Sequence, residues 1–366
     1  MVTIMKIALL SAANSTHTEK IANSLCDRGH QVVLYSQPDH GDRDGGYHSG
    51  VTIRYFRHGG QKSYFYNHFE LKKWLAEDPV DVLNVHYATG YGVIGRMCGF
   101  HPCVLSVWGS DVYDFPYEGR FKRRLLEKNL KDADLLLSTS HCMARQTEQF
   151  VRGKEIIVTP FGVDVTAFSP AAPAERDSVN IGFVKGVSRK YGIEFLIRAF
   201  RRVKDACREE NVKLLVYGDG DQLEEMKALA VSLDIEKEVT FFGRIPHERV
   251  PEALHQMDIF CVPSILESFG VSAVEAMACA IPCVTSDAAG LSEVMVDGET
   301  GYIVKKENVE ELAEKILLLV RDSQLRAAFG SNGRARVKAL YDWEENIQTL
   351  ESALIACAGG RNRYKK

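Results

Sequence analysis

Short apolar runs, each followed by a polar loop and then a helical pattern, recur along this 366-residue chain. In the first half they lie at 6–10, 31–35, 81–86, 102–107 and 134–138. In the second half they lie at 179–184, 213–218, 239–246 and 257–262. Runs this short and this apolar read as strands buried on both faces. Strands separated by helices cannot pair as hairpins. They need crossover connections, which produce parallel sheets with helices on both faces. A chain of this length divides, as a prior, into two domains. The pattern therefore predicts an α/β protein of two doubly wound, Rossmann-like domains.

Composition narrows the class. Apolar residues make up 45% and charged residues 26%, both ordinary for a soluble globular protein. A net charge of −4 and a pI near 6.3 give no pull toward nucleic acid, which is excluded as a partner. The nine cysteines include no Cys-x-x-Cys pair, and Cys261, Cys279 and Cys283 lie in apolar segments. They read as reduced core thiols of a cytosolic protein. No apolar run approaches the roughly 18 residues of a spanning helix. The segment 1–13 carries Lys6 and a short apolar run, as a signal peptide would, but a helix pattern follows at once, so it reads as the first strand.

Loop tips at the strand ends carry the polar residues of interest. After the first strand, Thr16 followed by Glu19 reads as a capping box, with Ile21, Ala22, Leu25 and Cys26 on one helix face and Gly29 closing the helix. Asn14, Ser15 and His17 there could supply side-chain donors; His17 could equally face solvent from the first turn. A Gly/Asp/His-rich loop spans 37–50. Residues 54–74 interleave basic residues with aromatics, a pattern of membrane or acceptor surfaces. Inward packing of those aromatics is the expectation here, because exposed aromatics are uncommon on monomers. The strands at 81–86 and 102–107 end in His86-Tyr87 and Trp108-Gly109-Ser110-Asp111. Open α/β sheets bind ligands at such ends. Asp111 could orient an acceptor or cap the turn after it. A basic helix is predicted over 119–131, and a Pro/Ala linker over 170–174.

The stretch 263–278 is the most informative. A strand at 257–262 leads into Pro263, Ser264, Ser268 and Gly270, which punctuate a loop, and 271–279 reads as a helix. Phe269, Gly270 and Val271 stand where backbone N–H groups point out of a helix N-terminus, a ready anion site. Glu267 lies in the loop and Glu275 about one and a half turns into the helix. That arrangement suits one carboxylate for sugar hydroxyls, one for ribose hydroxyls and a diphosphate between them.

With its flanking segments Ala280-Ile281-Pro282, Gly290-Leu291-Ser292-Glu293 and Asp297-Gly298-Glu299-Thr300-Gly301, this stretch resembles the paired-glutamate signature of retaining glycosyltransferases of the GT-B fold, family 4-like. The resemblance covers nearly the whole chain and is weakest at 37–75. It implies two Rossmann-like domains facing across a cleft. The N-terminal acceptor domain would span 1–165 and the C-terminal donor domain 166–340. A C-terminal helix, 341–366, would return to the first domain. It implies a cation pair in the loop 185–192, where relatives place an Arg and a Lys. Here the Arg position holds Gly186, and Lys190 stands for the Lys, with Lys185 and Arg189 near enough to substitute. It implies base contacts from the backbone around Arg244 and Ile245. Many relatives carry a His where Trp108 stands.

The combined reading is a metal-independent, retaining hexosyltransferase. Lys190, Lys185 and Glu267 form its catalytic set. Arg189, Arg244, Ile245, Phe269, Gly270, Val271 and Glu275 bind the donor. His17, His86 and Asp111 serve the acceptor. No cofactor and no metal are expected. Three Asp-x-Asp pairs, Asp42/Asp44, Asp132/Asp134 and Asp219/Asp221, read as loop and cap residues, with Asp221 placed to cap the following helix. The partners are a UDP- or GDP-sugar and a glycan, lipid-linked or small-molecule acceptor in cell-surface polysaccharide or glycoconjugate synthesis. The expected location is cytoplasmic, with peripheral contact at the inner face of the membrane. The rival readings are a nucleotide-sugar epimerase of the same fold and a non-catalytic sugar-binding protein.

Overall fold

A computed structural model describes residues 3–42, 45–172, 177–207 and 210–360. Asp44 and the end of the expected linker, Pro173 and Ala174, lie outside the described residues. The chain separates into two compact units, one of residues 1–161 with 344–366 and the other of residues 162–343.

The first unit alternates β1 (Lys6–Leu10), α1 (Thr16–Asp27), β2 (Gln31–Ser36), β3 (Val51–Tyr55), α2 (Asn67–Glu77), β4 (Val82–His86) and α3 (Gly90–Cys98). It continues through β5 (Cys103–Val107), α4 (Ser110–Tyr113), α5 (Arg120–Asp132), β6 (Leu135–Ser138), α6 (His141–Glu148) and β7 (Ile156–Val158). All seven strands are parallel, in the order β3-β2-β1-β4-β5-β6-β7. The chain reverses its direction of travel across the sheet between β1 and β4. Strands β4 and β5 are buried along their whole length, as a doubly covered sheet demands.

The second unit runs β8 (Val179–Val184), α7 (Ile193–Ala206), β9 (Val212–Tyr217), α8 (Leu223–Ser232), β10 (Val239–Gly243), α9 (Val250–Leu254), β11 (Ile259–Val262) and α10 (Val271–Ala278). Then come β12 (Cys283–Ser286), α11 (Ala289–Val294), β13 (Gly301–Val304), α12 (Val309–Arg321) and α13 (Ser323–Leu340). Its six parallel strands take the order β10-β9-β8-β11-β12-β13, with the reversal between β8 and β11. The apolar stripe of α7 (Ile193, Leu196, Ile197, Phe200, Val203) packs with Ile181, Phe183, Leu214, Val216 and Ile259 into one core.

Helix α14 (Trp343–Gly359) falls almost entirely in the first unit. His30, just ahead of β2, accepts the Met5 N–H at Nδ1 (3.1 Å), so its proton sits on Nε2 and is donated to Glu351 Oε1 at 2.8 Å. Arg28 Nε stands 3.7 Å from the other oxygen of that carboxylate.

Several local expectations are corrected. Ser15 is the cap of α1, accepting from the Thr18 N–H, and Thr16 is already helical. Ser15 holds extended backbone angles and places its oxygen three residues ahead of that N–H, as a cap requires. Gln222 stands at the cap position of α8 without a side-chain capping bond, so Asp221 does not cap it. The aromatics of 54–74 divide. Phe56 is buried against Trp74, which also stacks on Tyr35. Phe65, Tyr66 and Phe69 are exposed, Phe69 by 69%, and Phe121 on α5 by 70%. The inward face of α2 is filled by His68, Leu71 and Leu75, so Phe69 is left outward. No cysteine forms a disulfide; Cys26 and Cys357 are half-buried and the rest buried. Among the described residues no helix is long and apolar enough to cross a membrane.

Glu351→Ala would leave a buried imidazole N–H unpaired, at a cost of about 1–3 kcal/mol. We expect the unfolding transition reported by Trp74 and Trp108 to move to lower urea, and Glu351→Gln to recover most of the loss. An unmoved midpoint would show that α14 is not tied to the first domain through this bond.

Candidate active site

The reversal between β8 and β11 splits the loops at their C-terminal ends to opposite sides, which opens a crevice for ligand. The loop after β8 is 185–192 and the loop after β11 is 263–270. Backbone bonds tie them together: the Ile265 and Leu266 N–H groups reach the Lys190 carbonyl at 2.8 and 3.3 Å. Gly192 sits at φ 69°, and a Cβ there would lie 2.0 Å from the Pro263 carbonyl. Only glycine suits that combination of left-handed backbone and close approach.

The tie sets two predicted residues against each other. Lys185 Nζ lies 2.6 Å from Glu267 Oε2, with the side chains 15% and 12% exposed. Ser264 Oγ is 3.5 Å from the same oxygen. Lys185 and Lys190 each place Nζ 4.7 Å from the centroid of the Tyr191 ring. Arg189 is exposed on the same turn. Lys185 and Gly186 also line a cavity of about 720 Å³ with Tyr217, Asp219, Arg244 and Ile245. The Gly218-Asp219-Gly220 turn closes one wall, and a Cβ on Gly218 would meet the Lys185 carbonyl at 1.9 Å. That turn is thus built for main-chain approach and is not a dinucleotide fingerprint.

Gly270 at φ 107° caps α10, the buried Phe269 ring packs edge-on to Tyr341, and Val271 opens the helix. Ser272 Oγ, one residue further, is buried with no hydrogen-bond partner. Glu275 is buried in the second turn, and its Oε1 lies 2.8 Å from His247 Nε2. A carboxylate accepts, so that nitrogen carries the proton. Sequence reasoning passed over His247, Tyr191 and Ser272. Two helix turns and the β10–α9 connection bring His247 to Glu275, and no spacing in the sequence signals it.

In the first domain, the strand ends at its own reversal gather His86, Ser11 and Trp108. His86 is fully buried, with Nδ1 3.1 Å from Ser11 Oγ and its ring 4.4 Å from the Trp108 ring. Its Nε2 has no hydrogen-bond partner. Burial, and secondly the charge of His17, pushes its pKa down to about 3. His17 stacks on Phe161 at 3.8 Å and meets Trp108 edge-on, and it is half-buried. Asp111 is buried and accepts the N–H groups of Ala88, Trp108 and Gly109. Burial raises its pKa against the lowering effect of those bonds. Its oxygens are engaged by the loop they hold. Of the Asp-x-Asp pairs, Asp134 accepts from Cys103 N and pairs with His101, and Asp219 accepts the Gly220 N–H.

The solved structure of Anabaena HepE in complex with UDP superposes on this fold with a TM-score of 0.82 at 20% identity, covering 96% of this chain and all of that one. The architecture is the GT-B fold of two Rossmann-like domains. The family model of glycosyl transferases group 1 matches residues 166–336, and that of glycosyl transferase 4-like proteins matches 6–140. The chain belongs to this family of glycosyltransferases. It is similar to the N-acetyl-alpha-D-glucosaminyl L-malate synthase of Bacillus anthracis, at 26% identity over 75% of this chain and 74% of that protein. It is also similar to the phosphatidyl-myo-inositol mannosyltransferase of Mycolicibacterium smegmatis, at 25% identity over 90% of this chain and 86% of that protein.

A buried His whose pKa is depressed resists protonation while the unfolded chain accepts it, so stability is lost as pH falls from about 6.5 toward 3. We expect the His86 imidazole resonances to keep their neutral shifts down to pH 4. A midpoint near 6 would mean that the ring is solvated.

Proposed function

We propose that this glycosyltransferase moves a sugar, with retention, from a nucleotide-diphosphate donor held by the second domain to a glycan, lipid-linked or small-molecule acceptor held by the first. Cell-surface polysaccharide or glycoconjugate synthesis is the setting that its relatives suggest. The observation that carries this reading is the Lys185–Glu267 pair at the β8/β11 reversal, opening onto the cavity lined by Arg244 and Ile245. The cavity takes the base, and Glu275, oriented by His247, takes the ribose hydroxyls. Lys185, Lys190 and Arg189 meet the diphosphate with the start of α10 at Phe269–Val271. Glu267 meets the donor sugar.

The bond from the anomeric carbon to the diphosphate oxygen breaks, the acceptor oxygen bonds to that carbon, and the acceptor's proton is released. Negative charge grows on the departing diphosphate. Fixed positive groups aimed at developing charge usually supply the largest part of such catalysis. Lys185 is paired with Glu267 at 2.6 Å. An arriving diphosphate competes for the ammonium and releases the carboxylate toward the sugar hydroxyls. Lysines and a helix N-terminus perform the neutralisation that a divalent ion performs elsewhere, so we assign no metal to the reaction.

The test is nucleotide release from UDP-, GDP- and ADP-sugars, each in EDTA and in Mg²⁺. We expect release from one donor class, equal within a few-fold in the two conditions. Complete loss in EDTA, restored by Mg²⁺, would overturn metal independence; no release from any donor would overturn the transferase reading. Glu275→Ala should weaken nucleotide-sugar binding by about 1–3 kcal/mol, the scale of a hydrogen bond to a charged group. Glu267→Ala should leave bare-diphosphate binding intact or tighter, because Lys185 is freed, while turnover falls.

The acceptor side adds a surface. Helices α2 and α5 both pack against α3. They expose Phe69 and Phe121 beside Lys72, Lys73, Arg120 and Arg124. We assign this face to an anionic membrane surface that presents a lipid-linked acceptor. Basic residues there contribute about 1 kcal/mol each. The protein should sediment with phosphatidylglycerol vesicles at low salt and be released at high salt, and Phe69→Ser with Phe121→Ser should weaken this several-fold. No sedimentation at any ionic strength would remove the membrane from the reading.

A further inference from the structure

We propose that Tyr191 is the positioning residue of the diphosphate site, holding Lys185 and Lys190 by the face of its ring. The inference rests on the donor reading of this loop and extends it to a side chain that would touch no reacting atom. Both ammonium groups stand 4.7 Å from the Tyr191 centroid, within the reach at which a cation is attracted to an aromatic face. Two like charges drawn to one ring repel each other, and among the described residues Lys185 has a carboxylate beside it, Glu267, while Lys190 pairs with none. The arrangement therefore keeps an excess of positive charge at the crevice, suited to a ligand that carries several negative charges on adjacent phosphates.

The ring is itself held in place. The Tyr191 N–H reaches the Ser188 carbonyl at 3.0 Å, and the next residue is the left-handed Gly192 against Pro263. Its side chain is half-buried and packs on the core of the second domain. A Cβ on Gly186 would stand 3.3 Å from Tyr191 Cε2, so the absence of a side chain at 186 makes room for the ring. Lysine side chains are flexible and lose several rotatable bonds when ordered. A rigid π face shared by two of them reduces that loss before the ligand arrives. The phenol hydroxyl has no part in this; the ring face does.

The test compares Tyr191→Leu and Tyr191→Phe by calorimetry with UDP, GDP and ADP, and with uridine, guanosine and adenosine. For the base that wild type selects, the Leu variant should lose about tenfold in diphosphate affinity. Its affinity for the bare nucleoside and its melting temperature should stay unchanged. The Phe variant should restore diphosphate affinity to within about threefold of wild type, and turnover should follow the same order. Equal loss for nucleoside and diphosphate would mean that Tyr191 only shapes the pocket, and a Phe variant as weak as Leu would mean that the hydroxyl matters; either overturns the proposal. If the Leu variant melts early, Tyr191→Met carries the same comparison. Failure of wild type to bind any of the three diphosphates would instead overturn the donor reading itself.

Discussion

Main-chain bonding between the loops that follow β8 and β11 is the constraint on which the candidate site depends. The Ile265 and Leu266 N–H groups both point at one carbonyl, that of Lys190, and Gly192 lets the two backbones approach. Because backbone carries the tie, the side chains are left over for ligand. Lys185 and Glu267 come within 2.6 Å of each other although 82 residues separate them along the chain (267 − 185). A nearly buried ion pair is held firmly while intact and is costly to leave half-made. In the proposed reaction the arriving diphosphate supplies the replacement charge that lets this pair open.

The first domain uses burial where the second uses paired charge. His86 ends β4, the strand that corresponds to the β11 preceding Glu267, and Asp111 follows β5, one strand further from the reversal. Their surroundings take them the other way. Desolvation keeps the His86 imidazole neutral, and three backbone N–H groups consume the Asp111 oxygens. With Trp108 and Phe161 packed around His17 and His86, this region is an aromatic platform suited to stacking and neutral hydrogen bonding.

Much of this was legible in the residues. The short apolar runs placed the strands that flank both reversals, because a strand buried on both faces has almost no polar positions to confuse the reading. Helix α13 had no place in that reading: it continues through Gly330-Ser331-Asn332-Gly333, with Gly333 packed against Met277 of α10. Tertiary contact there overrides a weak local propensity. The aromatics of 54–74 were misjudged for a related reason. Composition shows how many rings a segment has, and only the packing of α2 shows which of them the core has room for.

The sequence by itself determined the class of fold, the paired glutamates and the basic loop, because alternation of apolar strand and helix, glycine at turns and charge at loop tips are local properties of the chain. Only the tertiary structure decided which partner each charge meets. Glu275 faces His247, Glu267 faces Lys185, and Asp111 faces its own loop. The first two pairings rest on crossover connections that bring distant segments within hydrogen-bonding range, and a hydrogen bond is a property of a distance and an angle that no residue spacing along the chain contains.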